Sequence, residues 1–128
     1  MRKVLVVEDD SIMRDTIRDI LQFEGLEVEA VNGGVEAINR LASTSYNLVI
    51  TDIIMPNRDG YEVIHAALTA CPSTKILAIS GGGSVSSEAY LAMAKDVGAH
   101  SILSKPFDID ELLMIVRNAY GTQIGIVQ

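Results

Sequence analysis

Residues 47–56 read Asn47-Leu48-Val49-Ile50-Thr51-Asp52-Ile53-Ile54-Met55-Pro56. The run Leu48-Val49-Ile50 is continuously apolar, too short for a helix, and closed within two residues by an acid, which is how a strand covered on both faces reads. Strands of that kind belong to parallel sheets flanked by helices. Similar runs occur on either side of it. Lys3–Val7 and Lys75–Ser80 are also continuously apolar at their centres, and Ser101–Ser104 is a shorter version. Glu27–Val31 instead alternates charged and apolar residues, which suits an edge strand with one wet face.

Segments of helical period separate these runs. The first begins near Ser11, whose hydroxyl is expected to cap it, carries Met13, Ile17, Ile20 and Leu21 on one face, and ends at Gly25. The second follows Gly33-Gly34 and contains Ala37, Ile38 and Leu41. A third starts around Gly60-Tyr61 and stops before Cys71-Pro72, because the residue before a proline disfavours the helical region. A fourth is expected over Ser87–Val97, ending at Gly98. The last opens with Asp108 and Glu111 as an acidic capping box and ends near Tyr120. Five strand–helix units of this size predict an α/β fold. The expected form is a three-layer, doubly wound (βα)5 sandwich, flavodoxin-like, with a parallel five-stranded sheet of order 2-1-3-4-5. One domain is expected over residues 1–121, with 122–128 as a C-terminal tail, since 128 residues suffice for one core and not two.

Composition removes several function classes. The formal net charge is −7 and no run of Lys and Arg is present, so a phosphate backbone would be repelled and direct nucleic-acid binding is not expected. No apolar stretch approaches the roughly 20 residues that cross a bilayer, and the first apolar run meets acids at once, so neither membrane insertion nor a signal peptide is expected. A single cysteine, Cys71, excludes an internal disulfide and any multi-Cys metal site, and fits a reducing, cytoplasmic location. As a small residue before Pro72 it reads as structural.

The ends of the strands carry the chemistry. In sheets of this order ligands bind beyond the carboxyl ends of the strands, where the order reverses between the first and third. The first strand runs into Glu8-Asp9-Asp10, the third into Asp52, the fourth into Ser80 and the fifth into Ser104-Lys105-Pro106. Crowded carboxylates repel unless a cation intervenes, and an all-oxygen cluster in a shallow cleft suits Mg2+. Glu8, Asp9 and Asp10 alone are equally compatible with a favourable helix N-terminus. Asp52, Ser80 and Lys105 at matching strand ends are what favour a site.

At these residues the chain resembles the receiver domain of two-component response regulators, over Lys3 to Tyr120. The segments LVVEDD (5–10), ITDIIMPNRDGYEV (50–63), ISG (79–81) and LSKPF (103–107) carry the resemblance. It implies that Asp52 is the phospho-acceptor, a carboxylate nucleophile forming an acyl phosphate. It further implies that Mg2+ is bound by Asp9 directly, by Glu8 through water, by Asp52 and by the backbone carbonyl of Ile54. Ser80 would hydrogen-bond the phosphoryl group, and Lys105, before a cis Pro106, would supply the cation. The chain departs from the family at Ile102, where an aromatic switch residue is usual. It departs again in the glycine-rich stretch that begins at Gly81, which reads either as a mobile turn or as a hinge replacing that aromatic.

The function expected from the resemblance is acceptance of phosphate from a sensor histidine kinase or a histidine phosphotransfer protein, with signalling by contact with a downstream protein target. Such a domain is not an enzyme beyond its own phosphotransfer and autodephosphorylation. Two rival readings are a Mg2+-dependent phosphatase with an aspartyl nucleophile and a receiver-like binding module that is not phosphorylated. The phosphatase usually has a second Asp two residues after the nucleophile, where this chain has Ile54. The module is disfavoured by the presence of Glu8, Asp9, Asp52, Ser80 and Lys105 together. His65 and His100 lack Ser or Cys partners and read as solvated or structural. On the first helix Ile12 and Phe23 fall about 20° apart on a helical wheel, off the core stripe, where an apolar flank could dock a kinase helix.

Overall fold

The apolar runs form the middle layer. The computed structural model describes residues 3–53, 60–80, 92 and 95–120. Within them the order is β1 (Lys3–Val7), α1 (Ser11–Phe23), β2 (Glu27–Val31), α2 (Gly34–Ser43), β3 (Leu48–Asp52), α3 (Gly60–Ala70), β4 (Lys75–Ser80), β5 (Ser101–Ser104) and α4 (Ile109–Tyr120). The five strands are parallel and lie in the order β2-β1-β3-β4-β5, the doubly wound flavodoxin-like arrangement the sequence predicts. The helix expected over Ser87–Val97 falls largely outside the described residues, as does the tail 122–128.

Alternation along the strands divides the core in two. Val4, Val6, Leu48, Ile50, Leu77 and Ile79 face Ile17 and Leu21 of α1 and Leu112 and Val116 of α4. Leu5, Val7, Val49, Ile76 and Ala78 face Ala37 and Leu41 of α2 and Val63, Ile64 and Ala67 of α3. Central strands therefore need apolar residues at every position, because both faces are covered. Strand β2 is at the edge, as its alternation predicts. Its Glu29 is held by Arg40 (2.9 Å) and by the Tyr46 hydroxyl, so charge and hydrogen bonding guard that side of the sheet.

The helix ends explain the turns. Helix α1 closes in a Schellman motif: Leu26 N–H donates to the Leu21 carbonyl (3.2 Å) and Gly25 N–H to the Gln22 carbonyl (3.0 Å). Gly25 stands at φ +90°, a conformation that costs other residues about 1–2 kcal/mol. Helix α4 opens on the expected capping box, with Asp108 N–H on Glu111 Oε1 (3.0 Å) and Glu111 N–H on Asp108 Oδ1 (2.8 Å).

The cap of α1 differs from the expectation. Ser11 is the first helical residue, and the cap is Asp10, whose carboxylate accepts from Ile12 N–H (3.0 Å) and Met13 N–H (3.3 Å). Asp10 has the extended backbone a cap requires, and its full charge also meets the positive end of the helix dipole.

Candidate functional site

Strand register brings the polar residues to one edge. Val7 pairs with Thr51, Asp52 with Ile79 and Ser80 with Ser104, so the residues at and just past these positions share one end of the sheet. Glu8 follows β1 and is tied to β2 by its N–H on the Val31 carbonyl (3.1 Å). Lys105 follows β5, with its N–H on the Ser80 carbonyl (2.8 Å). The Lys105–Pro106 peptide bond is cis, as the resemblance implies. Ile54 and Gly81 lie outside the described residues.

Glu8 and Asp52 are nearly inaccessible, at 2% and 6% exposure, and Ser80 is fully buried. One carboxylate oxygen from each of Glu8, Asp9 and Asp52 lies within 4.8 Å of the others. The Lys105 ammonium is 2.8 Å from Glu8 Oε1 and 3.0 Å from Asp52 Oδ2. Three carboxylates against one ammonium leave an excess of negative charge, and every donor is a hard oxygen. That chemistry fits a hard divalent cation.

Burial, reinforced by the charge of Asp52, pushes the Glu8 carboxyl up to about 7 against the lowering effect of its bond to Lys105. Burial works against the charge of Lys105, yet its bonds to Glu8 and Asp52 hold its pKa above the ordinary value. The sign for stability follows from Glu8. Its folded pKa is raised, so the folded chain binds more protons than the unfolded one between pH 4.5 and about 7. The Glu8 contribution is complete below pH 4.5 and is lost as pH rises through about 7. We expect Glu8→Gln to remove this dependence and to stabilise the metal-free chain at pH 8 by up to about 3 kcal/mol. Thermal melts of both proteins at pH 5 and pH 8 in chelator check it; an equal pH slope in the two proteins contradicts it.

Several contacts at this end were not anticipated from the sequence. Arg14 Nη1 donates to the Glu8 carbonyl (3.1 Å), and Asp10 N–H donates to Glu8 Oε2 (3.1 Å), so the acidic turn is braced from α1. The pairing of Lys105 with Glu8 joins residues 97 apart in the chain. Ile102 is half-buried in β5, opposite Ala78, and packs on the core. His100 is structural, as expected: its Nδ1 accepts from Ile76 N–H (3.0 Å) and its backbone N–H donates to the Ile76 carbonyl (2.9 Å).

The model of the response regulator receiver domain matches residues 4–117. The chain belongs to the response regulator receiver family. As a receiver domain it is 36% identical over 115 residues to the response regulator MprA of Mycobacterium avium (strain 104), a match covering 90% of this chain and 49% of MprA. The chain thus spans about half the length of the curated relatives it matches. Its structure is similar to a CheY-like response regulator receiver domain protein of Methanospirillum hungatei JF-1, with TM-score 0.86 and 27% identity over 96% of each chain. It is also similar to the response regulator TrrA of Thermotoga maritima, solved in complex with Mg2+–BeF, with TM-score 0.80 and 30% identity over 93% of this chain and 99% of TrrA. Receiver domains of response regulators are generally non-enzymatic signalling domains, which sets the phosphatase reading aside. Among the described residues no helix is long and apolar enough to cross a membrane.

Proposed function

We propose that this receiver domain takes a phosphoryl group onto Asp52 from a phosphohistidine of a sensor kinase or phosphotransfer protein. The observation that carries the reading is the buried Asp52 carboxylate, held 3.0 Å from the Lys105 ammonium beside two further carboxylates at the end of the sheet. A carboxylate oxygen of Asp52 attacks phosphorus; the P–O bond forms as the P–N bond breaks, and the electron pair leaves with the imidazole nitrogen. Such a transfer passes through a loose transition state, so the protein's task is in-line positioning and charge neutralisation. Lys105 turns from the carboxylates to the phosphoryl oxygens, and the Ser80 hydroxyl donates to one of them. Glu8, Asp9 and Asp52, with the Ile54 carbonyl, would hold Mg2+, which supplies further positive charge to the phosphoryl oxygens. Labelling by a small phosphodonor with Mg2+, followed by intact mass and mapping of the modified residue, tests the reading.

The added charge, about −2, creates acceptors that did not exist before transfer. Because Ile102 is aliphatic, the end of β4, where Ser80 hands over to Gly81, is the route by which phosphoryl bonding is read out.

The donor docks on α1. Ile12 is 78% exposed and Phe23 90% exposed on that helix, and Ile12 stands two residues beyond the cap that follows Glu8 and Asp9. Single exposed hydrophobes are ordinary, but Ile12 stands at the end of α1 next to the acceptor, where it serves best as a contact, with Phe23 further along the same flank. We expect Ile12→Asp to slow transfer from a phosphohistidine protein donor about tenfold or more while the small-donor rate changes by less than about twofold. Equal slowing with both donors would show damage to the site rather than to docking.

A further inference from the structure

A carboxylate can make in-line contact with a phosphorus atom only if its main chain is held, and two neighbours hold that of Asp52 outside the strand ladder. The β1–β3 pairing ends at Val7 and Thr51, and just beyond it the Thr51 hydroxyl donates to the Asp52 carbonyl (2.9 Å). Thr51 is fully buried directly after the apolar run Leu48–Ile50, where valine would have nearly the same shape. The hydroxyl is therefore retained for its bond. On the other side Gly60, the first residue of α3, lies directly against the same peptide. A Cβ at position 60 would stand 2.7 Å from Ile53 Cα and closer still to the Asp52 carbonyl oxygen. Gly60 is not a residue of positive φ, so glycine is required there for space and not for backbone conformation. Its N–H donates to the Ile53 carbonyl (2.8 Å), and Ile53 N–H donates across to the Ile79 carbonyl of β4 (2.9 Å).

We infer that Thr51 and Gly60 are positioning residues for phosphoryl transfer, clamping the Asp52–Ile53 peptide so that the Asp52 carboxylate meets its donor in line. The inference rests on the reading of Asp52 as acceptor. A methyl group on Gly60 encounters backbone atoms, which cannot rotate away as a side chain would, so the peptide itself must shift. Displacement of a reacting group by about 1 Å costs on the order of 10²-fold in rate. Loss of the Thr51 hydroxyl leaves the shape of the strand intact and loosens one side of the clamp.

The experiment measures initial rates of labelling of the full chain by acetyl phosphate with Mg2+, below the melting transition of each variant, by intact mass and site mapping. Thr51→Val is expected to react about tenfold more slowly, Thr51→Ser, which keeps the hydroxyl, to be rescued to within about twofold of the parent, and Gly60→Ala to react about 10²-fold more slowly. A purely structural role would lower melting temperature in Thr51→Val without separating the rates of the Val and Ser variants. Parent rate in Thr51→Val, or Ser as slow as Val, overturns the inference at Thr51; parent rate in a folded Gly60→Ala overturns it at Gly60. If Gly60→Ala does not fold, the Val and Ser pair decides. Labelling of the parent chain at a residue other than Asp52 would instead overturn the acceptor reading and is told apart by the mapping.

Discussion

Asp52→Asn is expected to lose phosphoryl incorporation by more than about 10³-fold, while keeping its fold. The amide has nearly the same shape as the carboxylate, so the packing at the end of β3 is preserved. It is no nucleophile toward phosphorus, and the two neighbouring carboxylates do not substitute for it. Glu8 is buried, bonded to Lys105 and raised to about 7, so much of it is protonated at neutral pH. Asp9 is exposed and lies on the turn after β1, away from the grip of the sheet. Removing the Asp52 charge also removes one cause of the raised Glu8 carboxyl, so the variant should melt no lower than the parent at neutral pH. Intact mass after exposure to a small phosphodonor decides; undiminished labelling at Asp9 or elsewhere would show that the acceptor has been misassigned.

The second large effect is expected at Lys105. Lys105→Ala leaves Glu8 and Asp52 facing each other without the ammonium that bonds both, and Glu8 loses the influence that lowers its pKa. The carboxyl then takes up a proton at neutral pH, which spares the fold the cost of an uncompensated buried charge. The transferring phosphoryl group has no such remedy. With one preorganised cation gone, the labelling rate should fall about 10²–10³-fold. Lys105→Arg should recover little of it, because a planar fork does not fit where a compact charge touches two separate carboxylates. Rates for the three proteins, with circular dichroism as the control for folding, check this. An alanine variant at the parent rate would mean that Lys105 only neutralises the resting site.

Much of this was legible in the chain because strands covered on both faces leave no freedom of pattern. Val4–Val7, Leu48–Ile50 and Ile76–Ile79 must be apolar throughout, and an acid or hydroxyl at their ends must then lie at the sheet edge. That reasoning located Glu8, Asp52, Ser80 and Lys105. It stopped where contacts depend on path and not on pattern. The Lys105–Glu8 ion pair needs two strand ends to arrive with their side chains turned toward each other, and nothing local encodes that. Asp10 and Ser11 can both cap a helix, and only the backbone angles distinguish them. The Arg14 contact to the Glu8 carbonyl depends on how α1 leans on the turn. Thr51 did leave a signal, a hydroxyl inside a buried run, and Gly60 left one as a glycine at the first position of a helix.

The placement of α4 decides whether the sheet can grow. Helices α1 and α4 share one face, and α2 and α3 the other. A right-handed crossover from the face of α2 and α3 steps toward β5, whereas one from the face of α1 steps toward β2. A strand laid outside β5 by chain emerging from α4 would therefore require a left-handed crossover, which parallel sheets almost never contain. Handedness thus closes the edge of β5 to a further parallel strand from the same chain. A domain joined after α4 would therefore not extend this sheet beyond β5 with a parallel strand, and its tether would start at the end of the sheet remote from Asp52.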